Sequence, residues 1–105
     1  MRFLDDIYTR TLAAVEDAIP LPEDWMTSHT YEATTARALL VHFLEAQGFT
    51  RRLTCHYTGL AKSTVKQHIN GYHARLKRDH TLRIMAAAIE RELNKPEPES
   101  EKNRF

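Results

Sequence analysis

Apolar residues recur at three- and four-residue steps along most of this chain. Phe3, Leu4, Ile7, Tyr8, Leu12, Val15 and Ile19 form one stripe, the spacing of an amphipathic helix over 3–19. Pro20 and Pro22 end it, because proline removes a backbone donor and clashes with the preceding turn. The connector over 20–29 carries Trp25 and Met26, two large apolar side chains expected to dock onto a core. Ala36, Leu39, Leu40, Phe43 and Leu44 predict a second helix over 31–47, with Gly48 as its C-terminal cap. Thr50 offers an N-cap for a short third helix over 51–58, which Gly59 breaks. A fourth helix begins near Lys62 and is expected to end at Asn70, since Asn70-Gly71 is a turn signal. A basic stretch, 72–78, follows. Leu82, Met85, Ala86, Ile89 and Leu93 predict the last helix, over 80–94. No segment alternates at strand period, so the fold class is all-α.

The 105 residues suffice for one small core. The expected organisation is an N-terminal helix and connector over 1–30, a helical domain over 31–94 and a proline- and charge-rich tail over 95–105 with nothing to bury. No apolar run approaches the roughly 20 residues that span a membrane. The first six residues lack the apolar core of a signal peptide. The single cysteine, Cys55, cannot form an internal disulfide. A cytoplasmic domain with a reduced thiol is the expectation.

The net charge of +1 hides an uneven distribution. Residues 1–36 carry a net −5 and residues 84–105 a net −1. Residues 37–83 carry nine Lys and Arg against Glu45 and Asp79, a net +7, and five of the six histidines. Such a segment fits a polyanion-binding surface; by charge alone it fits a solvated basic face equally well.

The stretch from Thr50 to Gly71 separates these readings. Two helices crossing closely need a small residue in the first, and Cys55 is small. The turn needs a residue that tolerates positive φ, which Gly59 supplies. Leu60 plugs the core beneath the turn. Val65 and Ile69, four apart, bury one side of the second helix. Lys62, Ser63, Lys66, Gln67 and Asn70 occupy its other side.

This pattern resembles the lambda-repressor-like (Cro/CI, XRE-type) helix-turn-helix family over about residues 37–94. The residues that carry the resemblance are Gly59-Leu60-Ala61, Lys62-Ser63-Thr64-Val65 and Ile69-Asn70-Gly71, with amphipathic helices on either side. Ala61 departs from the usual Ser or Thr cap, and Thr58 and His68 stand at usually apolar positions. Ser-Thr-Val-Lys-Gln-His also resembles LuxR-type domains, which end sooner after the recognition helix. The resemblance implies a DNA-binding bundle with an extra N-terminal helix, reading the major groove of double-stranded DNA with 62–70. It implies base contacts from Lys62, Ser63, Lys66 and Gln67, and places Arg51 and Asn70 near phosphates. Arg52, Arg75, Lys77 and Arg78 extend the phosphate-contacting set.

The implied function is sequence-specific transcriptional regulation, as a repressor of phage, plasmid or mobile-element type. The alternative is the DNA-binding antitoxin of a toxin–antitoxin pair, which also binds a protein toxin. A homodimer is expected, through the 3–19 stripe; the same stripe could instead pack on its own domain, or bind a protein effector.

Catalysis has no candidate centre, and no enzyme activity or cofactor is expected. His56, His68, His73, His80 and Cys55 lack common zinc-ligand spacing, so no metal is expected. Cys55 is expected to be a buried, inert thiol.

Overall fold

The computed structural model describes residues 2–95. They form five helices with no strand: α1 (Arg2–Ala18), α2 (Tyr31–Ala46), α3 (Arg51–Thr58), α4 (Lys62–Arg78) and α5 (His80–Leu93). The all-α class expected from the periodicity is what the chain adopts. No helix is long and apolar enough to cross a membrane among the described residues. The tail expected over 95–105 lies outside the described residues beyond Lys95.

The caps follow local chemistry. Thr30 and Thr50 each accept a hydrogen bond from the N–H three residues on, at Ala33 and Leu53. Asp79 does the same for Leu82. Side-chain acceptors at this position satisfy N–H groups that have no partner within the helix. Gly48 and Gly59 have φ of +100° and +77°, where a Cβ is disfavoured.

α2 is the central helix. Ala33, Ala36, Leu39, Leu40, Val41 and Leu44 are fully enclosed, and α1, α3 and α4 all pack against it. Trp25 and Met26 dock on this core as expected. Burying each large aliphatic side chain stabilises the fold by roughly 1.5–3 kcal/mol.

The stripe on α1 packs against α2 and α5. Ala14, Val15 and Ile19 are buried, and Leu4, Ile7, Tyr8 and Leu12 pack on the same cluster. Most of the 3–19 stripe thus packs within the chain's own core, while Phe3 at its start is exposed. Arg10 fastens α1 to the end of α5, donating to the Leu93 and Lys95 carbonyls at 2.8 and 2.6 Å.

The largest departure concerns α4. It continues through Asn70-Gly71 for 17 residues, to Arg78. Glycine inside a helix costs about 1 kcal/mol relative to alanine. Tyr72 is buried one residue later and Leu76 packs on the core. Their burial outweighs that cost, so tertiary packing overrides the local turn signal.

Candidate nucleic-acid interface

α3 and α4 are joined by the short turn Gly59-Leu60-Ala61. Gly59 closes α3 in the left-handed conformation, its N–H donating to the Cys55 carbonyl. Val65 is fully buried and Ile69 half-buried, so α4 keeps one side against the fold. Cys55 is not the buried small residue of α3, as expected, but is half-exposed. Thr54 and Thr58 are buried instead. Each Oγ1 donates to the carbonyl four residues back, Thr50 at 3.0 Å and Thr54 at 2.7 Å. Thr58 Oγ1 also accepts from the Leu60 N–H at 3.1 Å. The polar Thr58 is thus satisfied where it is buried.

The opposite side of α4 faces water. Lys62, Ser63, Lys66, Gln67 and Asn70 are all exposed. Because α4 does not stop at Asn70, the same stripe runs on through His73 and Lys77, also exposed. Residues 62, 66, 70, 73 and 77 recur at steps of four, four, three and four, which keeps them on one face. Lys77 therefore lies along the face, not outside it as the shorter helix implied. The 17 residues extend this face to roughly 25 Å at 1.5 Å per residue. His73 and the alignment of Lys77 were missed because helix periodicity was not carried past the Asn-Gly pair.

Ala61 gives the first turn of α4 no side-chain cap. That end is electropositive, since unpaired N–H groups and the helix dipole add there. Arg51 and Arg52, on the first turn of α3, are exposed.

The remaining expected phosphate contacts differ in freedom. Arg75 Nε lies 3.3 Å from Asp79 Oδ2, its Nη2 donates to Thr35 Oγ1, and its guanidinium sits 5.3 Å over the Tyr31 ring. It is committed to the junction of α2, α4 and α5, so this expected phosphate contact already has partners within the fold. Arg78 is exposed, with one hydrogen bond to the Ala74 carbonyl at 3.3 Å.

Electrostatics along α4 are positive on the inner flank as well. Burial holds the half-buried His68 below the ordinary imidazole pKa, and nearby Arg37 and Arg75 push it the same way. His42 on α2 stacks on Tyr72 with centroids 3.8 Å apart. Burial lowers its pKa, with His73 adding to the effect and Glu45 and Glu90 opposing it. A recess of about 530 Å³ beside this stack is walled by Phe43, Leu76, Ala86 and Leu93. No cluster of three metal-ligating side chains occurs among the described residues.

The chain matches no protein-family model, no curated protein and no solved structure.

Proposed function

We propose that this protein binds double-stranded DNA as a sequence-specific transcriptional regulator, laying α4 in the major groove. One observation carries the reading. A helix anchored by Val65 and Tyr72 presents Lys62, Ser63, Lys66, Gln67, Asn70, His73 and Lys77 as a single exposed, carboxylate-free face. The major groove admits an α-helix, and lysine and glutamine side chains can distinguish base edges there. Lys66 donates to guanine, and Gln67 pairs with adenine. Arg51 and Arg52, exposed on the first turn of α3, hold backbone phosphates, which position the protein without reading sequence.

The test is selection of bound duplexes from a random pool, followed by affinity measurements across a salt series. A recurring half-site is expected. One copy neutralising about three or four phosphates gives a slope of log K against log salt near −3, and two copies on a palindrome double it. A slope near zero, or no retardation of any duplex at low salt, overturns the reading.

A further inference from the structure

A groove of about 230 Å³ runs along the flank of α4 next to its exposed face, between α4 and α2. From α4 it is lined by Gln67, His68, Gly71, Arg75 and Arg78, with Tyr72 at its inner edge, and from α2 by Ala38. Gln67, Gly71, Arg75 and Arg78 recur at steps of four, four and three, one continuous strip of helix surface. Gly71 and Ala38 leave the middle of this strip without bulk. A Cβ built on Gly71 meets nothing within 4 Å. The space over Gly71 is therefore open, with Gln67 and His68 on one side and the two arginines on the other.

The charge around the groove is one-sided. Arg75, Arg78 and the adjacent Arg37 are positive, and His68 can become so. Asp79, the carboxylate paired with Arg75, is already engaged by the Tyr31 hydroxyl and the Leu82 N–H as well. Arg37 is turned inward onto the Trp25 carbonyl at 2.6 Å, near enough that its charge acts on His68. A small cationic cradle with an open floor complements an anion with several acceptor oxygens.

We propose that this groove seats a backbone phosphate of the same DNA duplex, over Gly71 and between His68 and Arg78. This rests on the DNA-binding reading of α4. It adds that the helix is gripped from its flank as well as read from its face, with α2 forming the far wall. Gln67 then stands at the rim between the two surfaces, and Arg75 acts from within the fold as a positioning charge.

Gly71 provides the cleanest test, because a side chain added there points into open space and replaces glycine with a better helix former. Gly71→Gln and Gly71→Glu are measured side by side on one selected duplex, with circular dichroism confirming the fold. The proposal expects Gly71→Glu to bind at least about tenfold more weakly than Gly71→Gln, because its carboxylate occupies the anion's place. Arg78→Gln is expected to reduce the salt slope by about one. Equal affinities for the two Gly71 variants, with an unchanged slope for Arg78→Gln, overturn the groove while leaving DNA binding in place. Failure of the unaltered chain to bind any duplex overturns both. Inorganic phosphate, titrated at constant ionic strength while the Gly71 amide is followed by NMR, is expected to leave that amide unmoved where duplex shifts it. Saturation by phosphate alone assigns the groove to a free anion and overturns its assignment to DNA.

Discussion

The Tyr31 hydroxyl donates to Asp79 Oδ2 at 2.9 Å, joining the first residue of α2 to the single residue that separates α4 from α5. The same carboxylate accepts the Leu82 N–H through Oδ1 at 3.0 Å and pairs with Arg75. These donors, the Leu82 N–H foremost and then Tyr31, hold the Asp79 carboxyl below the usual carboxylate range. A group whose pKa is lower folded than unfolded stabilises above its unfolded pKa, and that contribution is lost as pH falls through the folded value. Asp79→Ala is therefore expected to cost about 0.5–2 kcal/mol near neutral pH. The gap between it and the unaltered chain should close at pH well below about 3.9. Urea unfolding of both proteins at neutral and acid pH measures this.

Gly59 sits at φ +77° in the turn that aims α4. An L-residue in this conformation costs roughly 1–2 kcal/mol. Gly59→Ala should lower stability by that amount although its Cβ meets no neighbouring atom. Gly71→Ala, in regular helix, should raise stability by about 0.8–1.0 kcal/mol. Thermal unfolding of the pair gives shifts of opposite sign.

Val15 is fully enclosed between α1 and the rest of the core. Val15→Asp places a carboxylate there without a partner, at a cost of several kcal/mol. The expected outcome is loss of the helical circular dichroism signal, not conversion of a dimer to a folded monomer. A folded, monodisperse variant would return α1 to the role of an interface between copies.

Lys66 on the α4 face and Arg52 on α3 should respond differently to DNA sequence. Lys66→Ala is expected to cost about 1–3 kcal/mol on a selected site and to relax preference at one base position. Arg52→Ala should weaken selected and scrambled duplexes alike and reduce the salt slope by about one. Anisotropy titrations on both duplexes at two salt concentrations separate these outcomes.

His68 links the flank groove to pH. In the free protein burial disfavours its charged form, reinforced by Arg37 from α2 and Arg75 on α4 itself. A phosphate seated beside it reverses that balance and draws in a proton. Affinity for duplex should rise as pH falls toward the depressed pKa of the free imidazole, and His68→Gln should flatten the rise. The free protein should lose stability over the same range, because a depressed imidazole pKa means that the unfolded chain binds the extra proton.

Where periodicity and caps act locally, they were legible. The stripe from Leu4 to Ile19, the Thr50 cap and the Gly59 bend occur within a few residues of the positions expected of them. The end of α4 was not legible, because Asn70-Gly71 signals a turn only while nothing beyond it is buried. Tyr72 is buried by α2, which is distant in sequence. Cys55 and Thr54 differ by one residue, yet consecutive helix positions point about 100° apart, so a register error of one exchanged a buried side chain for a half-exposed one. Arg75 looked like its basic neighbours because its partners, Thr35 and Tyr31, lie 40 and 44 positions away. The exposed residues of the α4 face followed from the helix alone; the groove beside it required α2 to be in place.

Arg10 and the carbonyls it holds at Leu93 and Lys95 are 83 and 85 positions apart. A contact of that span has a kinetic consequence. Closing so large a loop costs entropy that grows with its length, whereas α2, α3 and α4 meet through much shorter connections. The three helices that build the exposed basic face and its flank groove can therefore assemble before the first and last helices meet. Docking of α1 along α5 is therefore expected on the late side of the folding barrier. Substitutions at that seam should accelerate unfolding while leaving the refolding rate nearly unchanged. The lifetime of the basic face is thus governed by a seam between helices that do not belong to it.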